Sequence, residues 1–315
     1  MAGRPGAGTG KRVRPLLFTL PFGARGVDIH SYGLLIAVAA IVGVLVALAQ
    51  RKRLGFDSAA VLDLAFWALV AGLGGSRALY VLVHAGDYAH LCFESGAPRP
   101  ARQMLTDCAA PLYLWQGGLV FYGGAIAAAG VILFMARRRS WPLGNVADLL
   151  APSLALAHGL GRVGCFLAGC CYGKVSSFGV PFPPASVAYH EFVHSGLLAP
   201  GAPSTPPLAP TQLYEAAGEC LIFALLMLLR RRRAFPGALA LIYVMAYALL
   251  RATVEIMRGD AARGYLFTIA LPRLATWLAL PPEQPLALST SQAISLALGV
   301  AAAVAYPILH RRATG

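Results

Sequence analysis

The chain has 315 residues, of which 58% are apolar and only 12% are charged, about half the charged fraction of a typical soluble domain. Its formal net charge of +13 comes from short basic runs beside hydrophobic blocks, the pattern that orients membrane helices. This composition excludes a soluble globular domain, and it argues against nucleic acid as a partner because the basic residues form no continuous patch.

The apolar blocks approach or exceed the length of about 20 residues that a helix needs to cross the hydrocarbon. Residues 1–20 are predicted to be a flexible basic tail, and residues 21–315 a single transmembrane domain. Seven spans are predicted, at 31–50, 60–83, 117–136, 143–163, 214–230, 236–258 and 288–309. Pro152, Ser153 and His158 interrupt the fourth. The predicted fold class is an all-α polytopic membrane protein.

Basic runs predict the orientation of the spans. They follow the first, third, fifth and seventh spans, at residues 51–53, 137–139, 230–233 and 311–312. Since basic loops stay in the cytoplasm, the N-terminus is predicted to be periplasmic and the C-terminus cytoplasmic, although the basic tail argues the other way. The periplasmic connections would then be 84–116, 164–213 and 259–287. In an oxidising compartment Cys92 and Cys108 form a disulfide or remain two thiols.

Polar residues of six spans are predicted to meet at the outer level of the membrane, where ionisable groups are candidates for function because each costs roughly 2.5–3.5 kcal/mol to insert. They are Tyr32, Arg77, Gln116, Arg162, Gln212, Tyr214, Glu215, Tyr247, Arg251, Glu255 and Arg258. Beyond the basic runs, no comparable cluster is predicted at the inner level. Tyr247, Arg251 and Glu255 share a helix face, with an ion-pair spacing for the last two.

Two interpretations of this cluster remain open: a structural salt bridge, or a site for an anionic ligand. Arginine donates two hydrogen bonds to phosphate and stays charged, so three arginines with few carboxylates favour a phospholipid headgroup. Gly117 and Gly118, at the start of the third span, either allow close helix packing or leave room for that headgroup.

Six stretches in this order carry a family resemblance. They are IHSYGLLIAVA (29–39), GGSRALYVL (74–82), WQGGLVFYGG (115–124), GLGRVGCFLAGCCYG (159–173), PTQLYEA (210–216) and YALLRATVEIMRGD (247–260). In these stretches the chain resembles the prolipoprotein diacylglyceryl transferases of bacterial membranes. The resemblance implies an inner-membrane enzyme that moves the diacylglyceryl group of phosphatidylglycerol onto the lipobox cysteine of preprolipoproteins. It implies a thioether product, glycerol 1-phosphate as the leaving group, no cofactor, and an active site towards the periplasmic leaflet.

The resemblance also implies roles for single residues. Arg162 and Arg251 match the family's phosphate-binding arginines. Matches to other polar positions of its cavity are Tyr32, Tyr247, Glu255 and Arg258, and Arg77 matches an arginine of the second span with a displacement of one residue. Tyr122 occupies the position of a histidine proposed as catalytic, which leaves the base unassigned, and His158 is a candidate replacement.

Other interpretations stay open. Tyr122 and Cys170, at positions where the family has other residues, favour a paralogous lipid transferase with a different acceptor. A lipid transporter is disfavoured because the chain shows no halves with corresponding motifs. A metal or redox site on Cys165, Cys170 and Cys171 is disfavoured because adjacent cysteines have poor geometry for one tetrahedral ion. No metal is therefore predicted.

Overall fold

The structure, a computed structural model, describes residues 13, 15–20, 27–93, 100–113, 118–259, 265–269, 272–277 and 286–314. Most of the predicted tail, with Gln116 and Gly117, lies outside these ranges. In chain order the elements are β1 (Leu16–Leu20), β2 (Val27–His30), α1 (Ser31–Leu54), α2 (Ser58–Val83), α3 (Ala85–Phe93), α4 (Ala101–Cys108), α5 (Phe121–Arg138), α6 (Leu143–Ala168), β3 (Val175–Val180), α7 (Val187–His194), α8 (Thr211–Leu229), α9 (Ala238–Ile256), β4 (Tyr265–Ile269), α10 (Pro272–Trp277), β5 (Leu286–Ser289) and α11 (Thr290–Thr314).

Seven helices in the described part of the chain are long and apolar enough to cross a membrane: α1, α2, α5, α6, α8, α9 and α11. They confirm the predicted polytopic fold class. Their bounds differ from the predicted spans by five residues or fewer, as at the end of α6, which reaches residue 168 instead of 163.

Short strands accompany the helices and were not predicted. β1 pairs antiparallel with β2, with Leu20 opposite Val27, and β4 pairs antiparallel with β5, with Ile269 opposite Leu286. β3 is bridged at both of its ends to Leu208. These strands pair their backbone groups in the connections before and between the long helices, where no helix supplies partners.

The chain divides into two compact units, Met1–Ala49 with Ala147–Gly315, and Gln50–Val146. In the first unit, half of the span of α6 is buried, against 6% for α11. Ala155 of α6 belongs to a buried cluster with Leu226 of α8 and Leu239 of α9. Gly159 lets α8 come close, because an added Cβ would lie 3.3 Å from the Ala216 carbonyl oxygen. Small residues thus place α6 in the centre of this unit.

The polar residues of the fourth predicted span do not interrupt the helix. α6 continues through Pro152, Ser153 and His158 to its end at Ala168. Ser153 Oγ donates to the Leu149 carbonyl oxygen at 3.2 Å. A proline removes one backbone donor, and a membrane helix tolerates that loss where neighbouring helices and hydroxyl groups cover the freed carbonyl.

A buried carboxylate near the start of α6 caps another helix. Asp148 is fully buried, and its oxygens accept from Gly237 N at 2.9 Å and Ala240 N at 3.1 Å at the start of α9. Arg233 Nη1 lies 3.0 Å away. A negative charge at a helix N-terminus is stabilised by the helix dipole. Asp148 thus ties α6 to the start of α9 and to Arg233 of the basic run at 230–233.

In the second unit, α2 and α5 pack backbone to backbone through glycines. An added Cβ on Gly75 would meet Gly123, and one on Gly124 would meet Gly72 and Ser76. The two helix backbones come this close because only residues without a side chain fit at these positions.

A disulfide joins Cys92 of α3 to Cys108 of α4. This answers the question that the sequence left open for the loop between the second and third spans. The bond closes a segment of 16 residues in sequence separation, and so restrains a connection made of two short helices.

Candidate active site

Four charged side chains link α6, α8 and α9 inside the first unit. Arg162 Nη2 lies 2.9 Å from Glu215 Oε1, and Arg251 Nη2 lies 2.8 Å from Glu255 Oε2, so the predicted Arg251–Glu255 pair is confirmed. The second oxygen of Glu215 lies 3.9 Å from Arg251 Nη1, beyond hydrogen-bond distance. Glu215 thus lies between two guanidinium groups and contacts that of Arg162 more closely.

Helical spacing brings these residues together. On α8, Gln212, Glu215 and Glu219 recur at intervals of three and four residues, so they share one face. All three are fully buried. On α6, His158 lies one turn before Arg162 and on the same side of the helix. The polar face of α6 therefore packs against the polar face of α8, although both helices are otherwise apolar.

His158 is held between a carboxylate and an arginine. Its Nδ1 lies 2.6 Å from Glu219 Oε1, and Arg162 Nε donates to its Nε2 at 3.1 Å. An acceptor at Nε2 requires the proton to be on Nδ1, so these contacts correspond to the neutral ring donating to Glu219. The Nε2 lone pair that a general base uses therefore already accepts a hydrogen bond from Arg162.

The formal charges of this cluster cancel. Its members are three arginines and three glutamates: Arg162, Arg251, Arg258, Glu215, Glu219 and Glu255. The expected excess of positive charge disappears once Glu219 is counted. Arg162 and Arg251 are thus each paired with a carboxylate. Arg162, with 16% of its side chain exposed against 8% for Arg251, is the more accessible of the two.

The chain after α6 is tied to the ends of α8 and α9. Gln212 Nε2 donates to the Cys170 carbonyl oxygen at 2.7 Å, and Thr211 Oγ1 donates to that of Cys171 at 3.0 Å. Gly173 bridges to Arg258, which is buried just beyond α9. The predicted residues Gln212 and Arg258 thus lie beside the cysteine-bearing loop.

The tyrosines of the predicted site have different surroundings. The Tyr247 ring lies 5.5 Å from the His158 ring, centre to centre, inside the cluster. Tyr32, at the start of α1, is half-exposed, and it interacts electrostatically with Arg162. Tyr214 precedes the buried Glu215 and is partly exposed, because adjacent helical residues point about 100° apart. Its role in binding substrate stays a prediction.

In the second unit, Arg77 is buried and faces backbone carbonyls. Its Nε donates to the Pro111 oxygen at 2.8 Å, and Nη2 donates to that of Ala110 at 2.8 Å. Nη1 donates to the Gly118 oxygen at 3.2 Å. These bonds hold the short 3₁₀ turn Ala110–Leu112 and the start of the third span against α2. A contact of Arg77 with phosphate stays a prediction.

Tyr122 is the second residue of α5 and is 57% exposed, with its ring against that of Phe121. Gly118 has a left-handed backbone with φ of 70°, and an added Cβ would meet the Tyr80 ring, so this position requires glycine. Gly117 lies outside the described residues. The catalytic role expected for Tyr122 stays a prediction.

Two partners in the cluster were missed from the sequence. Glu219 is an ionisable residue inside a span, and the rule that selected the other candidates selects it as well. Ser289 is buried at the end of β5, and its Oγ donates to Glu255 Oε1 at 2.7 Å. Only the fold brings Ser289 to α9, because 34 residues separate the two in sequence.

Comparisons with known proteins agree with one another. The family model described as prolipoprotein diacylglyceryl transferase matches residues 19–308. A phosphatidylglycerol–prolipoprotein diacylglyceryl transferase of Clostridium tetani is 30% identical over 248 residues, which cover 79% of this chain and 86% of the relative. One of Pediococcus pentosaceus is 30% identical over 269 residues, which cover 84% and 85%.

Proposed function

We propose that this chain, which belongs to the prolipoprotein diacylglyceryl transferase family, transfers the diacylglyceryl group of phosphatidylglycerol to the lipobox cysteine of preprolipoproteins. The products would be a thioether-linked prolipoprotein and glycerol 1-phosphate. One observation carries the proposal for the site: Glu215 lies between Arg162 and Arg251, fully buried among three membrane helices. Two guanidinium groups around one carboxylate make a receptor that fits the oxygens of a phosphate diester.

In the proposed reaction the substrate thiolate attacks a glycerol carbon of the lipid. A carbon–sulfur bond forms, the carbon–oxygen bond to phosphate breaks, and the electron pair leaves with glycerol phosphate. Negative charge therefore grows on the phosphate as the bond breaks. Arg162 and Arg251 would stabilise that charge once the phosphate has replaced Glu215 between them, so that their donors face the phosphate before the bond breaks.

His158 would act by positioning Arg162. The Arg162 guanidinium is fixed from two sides, by Glu215 Oε1 at 2.9 Å and by His158 Nε2 at 3.1 Å. Glu219 in turn fixes the His158 ring. When Arg162 turns towards the phosphate, His158 Nε2 loses its donor and becomes able to accept the proton of the substrate thiol.

The remaining predicted residues would shape the cavity around the lipid. Tyr247 lies against His158. Tyr32, in the first turn of α1, interacts electrostatically with Arg162. Glu255 holds Arg251 with the help of Ser289. These residues would act on substrate position rather than on bond cleavage.

The protein is a multi-pass membrane protein, and we place it in the bacterial inner membrane with the site towards the periplasmic leaflet. The basic runs at the ends of the odd-numbered spans support this orientation. The Cys92–Cys108 bond supports it independently, because disulfides persist in oxidising compartments. It lies in a connection that the basic runs also assign to the periplasm.

The test is transfer by the purified protein. The protein in detergent is incubated with phosphatidylglycerol and a lipobox peptide, and mass spectrometry detects the diacylglyceryl group on the peptide cysteine. A peptide with serine at that position is the control and should stay unmodified. A folded protein that consumes phosphatidylglycerol without modifying the cysteine peptide would overturn the proposed acceptor.

A further inference from the structure

Three of the free cysteines form a compact group at the end of α6, Cys165 in its last turns and Cys170 and Cys171 in the loop that follows. The Sγ atoms of Cys165, Cys170 and Cys171 all lie within 4.8 Å of one another. Adjacent side chains of an extended chain point in opposite directions, and this is why a shared site was disfavoured from the sequence. Cys171 instead has a left-handed backbone with φ of 60°, rare for a residue with a Cβ. That turn allows the adjacent pair to face one partner.

The loop that carries the sulfur atoms is fixed by hydrogen bonds. Cys170 N donates to the Cys165 carbonyl oxygen at 3.1 Å. Gln212 and Thr211 of α8 hold the carbonyls of Cys170 and Cys171. The three side chains are thus gathered by the fold itself, which is the condition under which a ligand set binds a metal without further ordering.

The distances and the donor type fit a soft metal ion. Zinc–sulfur bonds of about 2.3 Å at tetrahedral angles separate sulfur atoms by about 3.8 Å. The Sγ atoms lie up to 4.8 Å apart, and movements of less than about 1 Å would bring them to the spacing around zinc. A donor set of sulfur alone selects ions such as Zn²⁺ and excludes Mg²⁺ and Ca²⁺, which require oxygen.

The surroundings suit the charge of such a site. Three thiolates and one divalent ion carry a net charge of −1. Arg258 and Arg162 are close enough to Cys171 to act on it electrostatically, and both are themselves largely buried. Their positive charges offset the negative charge inside the protein, where it would otherwise be costly.

We propose that Cys165, Cys170 and Cys171 bind a soft divalent ion of the zinc class through three thiolates. The fourth coordination position takes the thiol of the acceptor cysteine. The binding of the acceptor thiol to the ion rests on the proposed transferase function. The ion would activate that thiol, a role expected of the family's histidine, which Tyr122 replaces in this chain.

The step balances without any change in redox state. The acceptor thiol binds as the fourth ligand and gives its proton to His158 Nε2, the base proposed above, because a coordinating thiol is deprotonated. The sulfur then attacks the glycerol carbon, the carbon–sulfur bond forms, and the carbon–oxygen bond breaks with its electron pair going to glycerol phosphate. The thioether has no negative charge, so it is a weak ligand and leaves. Three protein ligands and one exchangeable position are the arrangement of catalytic zinc sites.

Cobalt substitution tests the proposal by counting thiolate ligands. Co²⁺ is titrated into the full-length reduced protein in detergent, and the thiolate-to-cobalt charge-transfer absorbance is measured. The expected intensity corresponds to three thiolates, and it rises by one third when the lipobox cysteine peptide is added. The serine peptide should cause no rise. Cys171→Ser should lower the intensity of the free protein by one third.

Two control variants separate this site from other thiols. Cys220 is an exposed free cysteine of α8, and Cys220→Ser should leave the band unchanged. The double variant Cys92→Ser and Cys108→Ser removes the thiols that reduction of the disulfide releases, and it should leave the band unchanged as well. Arg162→Ala should lower transfer by about 100-fold or more while the band persists, because Arg258 still offsets the charge of the site. Failure of the metal site is therefore distinguishable from failure of the transferase function.

Several results overturn the inference. A wild-type protein without the charge-transfer band has no such site, and a mass two hydrogens lower would identify a disulfide within the cluster in its place. A band that survives in a triple serine variant, folded by size-exclusion chromatography, arises from other ligands. A band that corresponds to three thiolates but does not grow with the cysteine peptide removes the acceptor from the proposal.

Discussion

Replacement of Arg162 by alanine tests the phosphate site most directly. The side chain contacts Glu215 Oε1 at 2.9 Å and His158 Nε2 at 3.1 Å. In the proposed reaction it stabilises charge that grows on the leaving phosphate. Loss of one preorganised donor of this kind costs roughly 10²–10³-fold in rate, about 2.7–4 kcal/mol of transition-state stabilisation.

The same change also lowers the free energy of unfolding. Glu215 is fully buried, and without Arg162 its nearest remaining cation in the network is Arg251 Nη1 at 3.9 Å. Breaking a buried ion pair on one side costs about 3–5 kcal/mol, because a charge is left without compensation. Arg162→Ala is therefore expected to lose both activity and thermal stability.

A second variant separates the two effects. Arg162→Ala combined with Glu215→Gln removes the orphaned charge, so most of the stability should return while transfer stays low. The measurements are peptide diacylation by mass spectrometry and thermal unfolding in detergent. Arg139→Ala, which breaks an exposed ion pair with Asp63, is the matched control and should change both by little. A double variant with a transfer rate within tenfold of wild type would refute the assignment of Arg162 to the phosphate.

Three further outcomes are expected. Asp148→Ala should lower the unfolding temperature, because the N-terminus of α9 loses its buried cap and ion pair, a cost of about 3 kcal/mol or more; transfer per folded molecule should stay near wild type. Joint replacement of Cys92 and Cys108 by serine should destabilise the protein by about 3 kcal/mol, as expected for a closed loop of this length, and unchanged unfolding under non-reducing conditions would contradict it. Hydrogen bonds from neighbouring thiols, with the charges of Arg258 and Arg162, lower the pKa of Cys171, whereas those bonds raise the pKa of Cys170. In the metal-free protein an alkylating reagent should therefore modify Cys171 first as pH rises from acid, which peptide mapping measures; equal rates at both cysteines would contradict the difference.

The spans were predictable because crossing a membrane imposes a length and a composition that are visible in any window of sequence. The Arg251–Glu255 pair was predictable for a similar reason, since both residues lie on one helix and the period is fixed. The interruption expected at Pro152 did not occur. A proline in water breaks a helix, but its effect inside a bundle depends on neighbours that the local sequence does not reveal.

What escaped prediction depends on contacts between distant segments. Asp148 lies near a helix start in the sequence, and its value as a cap for α9 exists only once the two helices meet. The contact of Ser289 with Glu255 has the same origin. The cysteine cluster was undervalued because the left-handed turn at Cys171 is a property of the folded loop and has no signature in a Cys-Cys pair.

Glu215 has a consequence for turnover. In the ligand-free protein this carboxylate already occupies the place between Arg162 and Arg251 that the phosphate is proposed to take. The net binding free energy of the lipid would then be the difference between the free energies with which the arginines bind its phosphate and bind Glu215. Lipid binding would therefore be weaker than the arginine–phosphate interaction alone. Because the lipid substrate is a component of the surrounding bilayer, its concentration around the enzyme is always high. Weak binding of the ground state therefore does not lower the rate of transfer. In the proposed cycle the carboxylate would re-form its contacts with the arginines, and this return would help to expel glycerol phosphate.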